Sequence, residues 1–320
     1  MKCKVMKMIP LSYPLQLREE ELSNDKKVLA IGDFDGVHLG HQEVIRRATQ
    51  TAERLRLPAS IMTFHPHPRQ VLGQDKYKDL LTPIAKKMQL FEKLGVHYTY
   101  VAQFDEALMG LTPGQFVNQV LLPLGVESVI VGFDFTFGFQ GKGNPDTLCE
   151  LGHGKFAVEV VRPFHIEGAK VSSTSVREAL QQGQVEKATQ LLGRRYCIQG
   201  EVITGDQRGR TIGFPTANIR ISEPFVTPRT GVYAIKAEVK GQRYDGVMNI
   251  GYKPTFNQDE LTPSLEAHLF GFSQNIYGET MSVELVSFLR EERRFSGIQE
   301  LVDQIKQDAE TSKSILMSHP

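Results

Sequence analysis

Val28-Leu29-Ala30-Ile31-Gly32-Asp33-Phe34-Asp35-Gly36-Val37-His38-Leu39-Gly40-His41 joins a short apolar run to a glycine-punctuated loop, and Gln42 to Leu55 continues with helical composition. Strand, glycine loop and helix form the unit with which α/β folds receive phosphates. The strand's C-terminal end opens a crevice, and the helix N-terminus supplies free N–H groups and a positive dipole end. Glycines at 32, 36 and 40 let the backbone approach a ligand closely. His38 and His41, with Gly40 between them, can face a phosphate from one side and stabilise charge that develops on it. The alternative is a plain helix start with two solvated histidines, and the strand and loop around the pair weigh against it.

Outward from this unit, Ser60 to Phe64 reads as a strand. Thr82-Pro83 reads as an N-cap with proline at the first helical position, opening a helix to about Leu94. Tyr98 to Val101 is a strand, Thr112-Pro113 repeats the cap signal before a helix to about Leu122, and Ser128 to Val131 and Phe156 to Val161 are strands. Strands alternating with helices imply a parallel sheet with helices on its faces. Near Val185 the pattern changes. A short helix, Val185 to Leu192, is followed by β-rich stretches at Tyr196 to Thr204, Val232 to Val239, Tyr244 to Ile250, Leu265 to Phe270 and Met281 to Leu289. Lys240-Gly241-Gln242 reads as a hairpin connection, and Ser296 with Gln299 as a capping box for a last helix to about Asp308. Many short strands with one terminal helix suggest a small barrel or a sandwich. The expected organisation is two domains, 1–186 and 187–320.

Composition bounds the function. Of 320 residues, 40% are hydrophobic and 23% charged, and Lys+Arg and Asp+Glu both number 37. The balance holds on each side of Glu186, with 21 basic and 21 acidic residues up to it and 16 of each after it. Neither half has the cationic excess of a nucleic-acid platform. Cys3, Cys149 and Cys197 lie far apart and form no disulfide framework or CxxC pair. The basic start is broken by Pro10 and Pro14 where a signal peptide needs an unbroken apolar stretch, and no window approaches the ~18 apolar residues of a membrane span. A cytoplasmic protein without a membrane, nucleic-acid or obligate protein partner is expected.

Three further segments carry chemistry. Val171-Ser172-Ser173-Thr174-Ser175-Val176-Arg177 precedes a helix start marked by Ser175 and Glu178, and hydroxyls with an arginine at a helix N-terminus suit phosphate. Phe64-His65-Pro66-His67-Pro68 is a stiff loop after a strand. Its two histidines lack a third ligand at zinc spacing. Gly200 to Asn218, GEVITGDQRGRTIGFPTAN, sets Gly205, Gly209 and Gly213 beside Arg208 and Arg210, with the oxygen donors Thr216 and Asn218. Glycine backbone with arginine suits a polyphosphate, and a hydroxyl with an amide oxygen suits Mg²⁺. No Walker A sequence occurs. The alternative is a β-arch whose glycines only turn the chain.

His38-Leu39-Gly40-His41 and Val171 to Arg177 resemble the HxGH and ISSTxxR motifs of the nucleotidyltransferase superfamily, specifically of the prokaryotic bifunctional riboflavin kinase/FMN adenylyltransferase (FAD synthetase) family. Phe64 to Pro68 is similar to that family's FxPxP segment, and Val131-Gly132-Phe133-Asp134-Phe135-Thr136-Phe137-Gly138 to its VGxDFxFG. Val171 stands where isoleucine is usual, and Phe133 where a polar residue is common. Gly200 to Asn218 resembles the riboflavin kinase signature. Gly246 to Phe256 resembles GVxNIGxxPTF, Leu265-Glu266-Ala267-His268-Leu269 the ExHL stretch, and Phe288 to Phe295 the closing FLRxExxF. The likeness runs from about Ala30 to about Asp308.

The resemblance implies a Rossmann-like nucleotidyltransferase α/β domain followed by a small antiparallel β-barrel kinase with a terminal helix. It implies that His38, His41 and Arg177 act on the ATP phosphates, with Gly32, Phe34, Asp35, Gly36, Gly40, Ser173 and Thr174 lining that nucleotide. A second ATP would meet Gly205, Arg210, Gly213, Thr216 and Asn218, the last two holding Mg²⁺. Flavin contacts would come from Phe64, Pro66, His67, Pro68, Asp134, Arg290 and Phe295. Glu266 would be the base that takes a proton from riboflavin. On its residues alone, Glu266 could instead be an outward strand glutamate in a surface pair. Partners would be riboflavin, FMN, FAD and ATP. Rival readings are a single-activity adenylyltransferase for pantetheine phosphate or nicotinamide mononucleotide fused to an unrelated barrel, and a flavin-binding regulator without turnover. A third is a class I tRNA synthetase. GFPTAN, the intact His38, His41 and Glu266, and the neutral charge balance argue against each in turn.

Overall fold

The computed structural model describes residues 6–15, 26–205, 209, 212–254 and 261–318. Contacts divide the chain into two compact units, Met1–Ser173 and Thr174–Pro320.

In the first unit β1 (Lys7–Leu11), β2 (Lys27–Ile31), β3 (Ala59–His65), β4 (Tyr98–Gln103), β5 (Val126–Gly132) and β6 (Ala157–Val161) form a parallel sheet in the order β1-β4-β3-β2-β5-β6. The chain winds from β2 to β3 and β4 on one side, then to β5 and β6 on the other. The order reverses between β2 and β5, where an α/β sheet opens its ligand crevice. Alternate residues of β2 enter two cores, as a doubly covered sheet requires. Leu29 and Ile31 join Met62, Tyr100, Val129 and Phe116 on one face. Val28 and Ala30 join Ile61, Ile130, Ile45 and Phe91 on the other.

The covering helices are α1 (Leu39–Leu55), α2 (Pro68–Val71), α3 (Ile84–Lys93), α4 (Glu106–Met109), α5 (Pro113–Phe116), which continues as a π-turn over Val117–Leu121, and α6 (Pro145–Gly152). A small hairpin, β7 (His165–Ile166) and β8 (Ala169–Lys170), follows β6. The Thr112 cap is a full capping box with Gln115. Two other expectations are corrected. α1 begins at Leu39 rather than Gln42, with His38 as its N-cap, so Gly40 and His41 lie in its first turn. Thr82 does not cap α3. Pro83 occupies the cap position, and the Thr82 N–H donates to Asp35 Oδ1 at 3.1 Å instead. β1 was not expected at all, because Pro10 lies inside it. Proline is tolerated there because β1 is an edge strand, pairing with β4 alone.

α7 (Ser173–Gln181) starts at the last residue of the first unit, two residues earlier than the expected Ser175 cap. α8 (Val185–Leu192) follows. The second unit then builds a closed antiparallel barrel, not a sandwich, from β9 (Cys197–Ile203), β10 (Ala217–Ile221), β11 (Gly231–Val239), β12 (Gln242–Pro254), β13 (Leu261–Leu269) and β14 (Thr280–Arg290), in the order β10-β13-β12-β11-β14-β9. Lys240 and Gly241 have φ of 51° and 73°, the left-handed pair that closes a two-residue hairpin between Val239 and Gln242.

The last helix, α9 (Ile298–Met317), is capped by Gly297 and runs well past Asp308; Ser296 bonds Glu300 rather than Gln299. α9 buries Asp308, Ala309, Ser312 and Leu316. Ser312 Oγ donates to the Gly246 carbonyl at 2.9 Å, and Asp308 receives a bidentate pair from Arg290 at 2.8 to 3.1 Å. Among the described residues no helix is long and apolar enough to cross a membrane.

Candidate functional site

The loop Gly32–His38 leaves β2 beside the order reversal. Its backbone is left-handed at Phe34 (φ 52°), Gly36 (90°) and Val37 (42°), a conformation rare outside glycine. The turn delivers His38 to the cap of α1. His38 Nδ1 accepts from the His41 N–H at 3.2 Å, so a neutral His38 ring carries its proton on Nε2. The two imidazoles stack with centroids 3.6 Å apart. A Cβ on Gly40 would come within 3.1 Å of the His38 ring, so glycine there permits the stack. Phe34 lies edge-on to His41 and to Phe91, which fixes the pair from the core side, and its ring fills the space a Gly32 side chain would need.

Asp35, 1% exposed, is held at both ends. Its carboxylate accepts from Thr82 N and its carbonyl from Ser173 Oγ at 2.8 Å. The structure thus brings Ser173 to the loop. Thr174 and Arg177 continue along α7 in the second unit by contacts, with Arg177 buried.

The FxPxP-like segment reaches the same loop. His67 caps α2 by accepting from Arg69 N at 3.1 Å, which leaves its Nε2 3.4 Å from Asp33 Oδ2, and its ring stacks on Tyr77. Pro68 is the first residue of α2, the exposed Pro66 follows a cis peptide, and Phe64 packs against Phe104. Asp134 stands at the exposed end of β5, paired with Lys170 of β8 at 2.9 Å; the Lys170 ammonium also covers the Phe133 ring.

In the second unit strand register assembles the polar row. Asn218 of β10 and Asn249 of β12 both pair directly with Glu266 of the strand between them, β13. Directly opposed residues share a face. One step along, Ile219, Leu265 and Ile250 form the buried row, so the Asn218–Glu266–Asn249 row points outward. Thr216, two residues before Asn218, lies just ahead of β10. Glu266 is half-buried and accepts from Ser264 Oγ at 3.2 Å. Asn249 Nδ2 donates to Glu292 at 3.1 Å. His268 Nδ1 meets the Pro215 carbonyl at 2.8 Å and pins the chain just before Thr216. The Asn218 side chain fills the space a Gly205 side chain would need. Gly213 is left-handed at φ 86°, and Arg210 lies outside the described residues.

Arg290 closes β14 and is oriented by Asp308, which also accepts from Gln304 Nε2 at 2.7 Å. Phe295 lies under the guanidinium groups of Arg290 and Arg293. Thr63, Lys87 and Ser264 are not among the residues expected from the sequence, Thr82 is expected there only as a helix cap, and Asn249 only as part of the Gly246–Phe256 stretch. A usable signal existed for Lys87 alone, a lysine in the same apolar stripe as Phe91.

Two family models match the chain, FAD synthetase over residues 20–175 and riboflavin kinase over residues 192–316. The bifunctional riboflavin kinase/FMN adenylyltransferase of Bacillus subtilis (strain 168) is 48% identical over 305 residues, 95% of this chain and 96% of its own. That of Listeria monocytogenes is 41% identical over 310 residues, 97% of this chain and 98% of its own. A crystal structure from Streptococcus pneumoniae, described as a macrolide-efflux protein, has the same fold with a TM-score of 0.88 at 31% identity, covering 96% of this chain and 99% of that one.

Proposed function

Because this chain belongs to the bifunctional riboflavin kinase/FMN adenylyltransferase family, we propose which of its residues carry each half of its two-step chemistry. The protein transfers the γ-phosphoryl group of ATP to riboflavin, giving FMN and ADP. It then joins FMN to the AMP portion of a second ATP, giving FAD and pyrophosphate.

Glu266 is the kinase base. It takes the proton from the primary ribityl hydroxyl as that oxygen attacks the γ-phosphorus. Thr216 and Asn218 fit a hard divalent cation. Both offer neutral oxygen, and the missing side chain at position 205 leaves room for the Asn218 amide. We assign Mg²⁺ there. When bound with ATP it offsets charge on the transferring phosphoryl group. Arg290 and Phe295, with Arg290 set by Asp308, offer a flavin contact. ATP would also meet Gly205, Arg210 and Gly213.

In the first unit the nucleophile is the FMN phosphate, already ionised at neutral pH, so positioning and charge stabilisation carry the step. His38 and His41 donate to the α-phosphate region from the α1 N-terminus, with Ser173 beside the loop; the resemblance assigns Thr174 and Arg177 to the ATP phosphates as well. Phe64, Pro66, His67, Pro68 and Asp134 are assigned to the flavin end. We place both reactions in the cytoplasm.

The observation that best supports this reading is the pair of separate polar constellations, His38/His41 at the crevice of the sheet and Asn218–Glu266–Asn249 on the barrel. Incubation with riboflavin, ATP and Mg²⁺ followed by chromatography of riboflavin, FMN and FAD tests it. Absence of both products, with oxidised and with reduced flavin, defeats it.

Two expectations follow from the packing. Gly205→Ala must push the Asn218 side chain aside. Disturbing a ligand's support costs about 10–100-fold in metal affinity. A Mg²⁺ titration should therefore show a matching rise in the concentration needed for riboflavin phosphorylation, with FMN adenylylation unchanged. A wild-type titration curve would count against Asn218 as a ligand.

We place the functional division after Glu186. Residues 187–320 should then phosphorylate riboflavin and make no FAD. That fragment lacks α7, whose Leu180 carbonyl accepts from Arg229 N, and Gly183, which packs against Phe288. A fragment of residues 174–320 should have the same activity and melt at a higher temperature. A folded fragment without kinase turnover would refute the assignment of that activity to the barrel.

A further inference from the structure

A buried lysine underlies the His38/His41 loop and has no part in the chemistry above. Lys87, on the core side of α3 one turn before Phe91, is 3% exposed. Its Nζ donates to the main-chain carbonyl of Asp33 at 2.6 Å and lies 3.4 Å from Thr63 Oγ1. Thr63 Oγ1 donates to that same carbonyl at 2.9 Å. Two donors, one from α3 and one from β3, converge on a single oxygen.

Placing an ammonium there is expensive unless it is compensated. Burial pushes the Lys87 pKa down, and Asp35 and Asp33 pull it back up. The compensation runs both ways. Asp33 and Asp35 put two carboxyl groups on a loop that receives a polyphosphate, and the lysine sets positive charge directly beneath them. His67 Nε2 faces Asp33 from the other side.

The pinned carbonyl immediately precedes the left-handed residues Phe34, Gly36 and Val37. Non-glycine residues in that region are strained and persist only where the surroundings over-determine them. The surroundings here are Lys87 and Thr63 at Asp33, and Thr82 and Ser173 at Asp35. That backbone run sets where the His38–His41 stack sits.

We infer that Lys87 is a positioning residue for adenylyl transfer: by fixing the Asp33 carbonyl and balancing the Asp33 and Asp35 carboxylates, it holds the phosphate loop in its receiving shape. The inference rests on reading this loop as the adenylyl-transfer site.

The test uses full-length Lys87→Met, Thr63→Val and the double variant, with His41→Ala as reference. For each, kcat and the KM for ATP and for FMN are measured in FMN adenylylation, riboflavin phosphorylation by the same preparation serves as internal control, and a melt is recorded. Lys87→Met should lower kcat by about ten- to a hundredfold, the scale set by misplacing reacting groups by an ångström or less. It should raise the KM for ATP and leave the KM for FMN and the kinase rate near wild type. Thr63→Val should change the same constants less. The double variant should lose less than the product of the two, since both donors serve one carbonyl. Should Lys87→Met fail to fold, Thr63→Val decides alone.

Wild-type adenylylation constants in the folded variants overturn the inference. So does a parallel fall of both activities with the melting temperature, the mark of a lysine that only stabilises the core. A His41→Ala enzyme that still makes FAD at the wild-type rate removes the reading of the site, and the inference with it. An inactive His41→Ala beside an intact Lys87→Met removes the inference alone.

Discussion

Glu266→Gln should nearly abolish riboflavin phosphorylation, by ~10²–10⁴-fold, the range for losing a general base, while FAD formation from supplied FMN continues at the wild-type rate. The amide keeps the size and outward direction of the carboxylate between Asn218 and Asn249 but cannot take up a proton. The side chain is half-buried on the outer face and not part of the barrel's apolar row of Ile219, Leu265 and Ile250, so the melt should move little. Assaying each half-reaction separately checks this. Equal loss of both activities would mean damage to the fold. An unchanged kinase would leave Glu266 as an ordinary surface glutamate and require another base.

His41→Ala should give the mirror image. One preorganised donor to a developing charge is worth on the order of 10²–10³-fold in kcat. The substitution also removes the ring that stacks on His38 at 3.6 Å and meets the edge of Phe34. Alanine suits a helix's first turn, so α1 should persist and the melt should hold. The variant should convert riboflavin to FMN and then stall, with FMN accumulating in the chromatogram. FAD production at the wild-type rate would overturn the assignment of the first site.

Much of this organisation was legible in the sequence, and the misses have physical causes. The β2–loop–α1 unit was readable because apolar strand, glycines and histidines occur together. The Lys240-Gly241 turn was readable because a two-residue hairpin demands that chemistry. β1 was hidden by Pro10, acceptable only because the strand lies at an edge, a fact of tertiary arrangement. β10 is hidden in the sequence because its outward Asn218 falls within the glycine-rich Gly200–Asn218 stretch. The second half of α9 was lost because its buried positions include Asp308 and Ser312, which bond Arg290 and the Gly246 carbonyl and so break the apolar period. The histidine pair could be found from spacing. What holds it, Thr63, Thr82 and Lys87, comes from three places brought under the loop only by folding.

The kinase row draws its members from three neighbouring strands, and alternation along a strand has a period of two residues. Sliding β13 by one position would therefore turn Glu266 into the apolar interior and leave Leu265 or Ala267 between Asn218 and Asn249. Glu266 and the buried residues that anchor its strand cannot exchange places one at a time. Such a pairing error would cost the core as much as the chemistry. With Glu266 as the proposed base, phosphorylation of riboflavin would be coupled to correct strand alignment, and a misaligned barrel would be both catalytically silent and unstable enough for cellular proteases to remove.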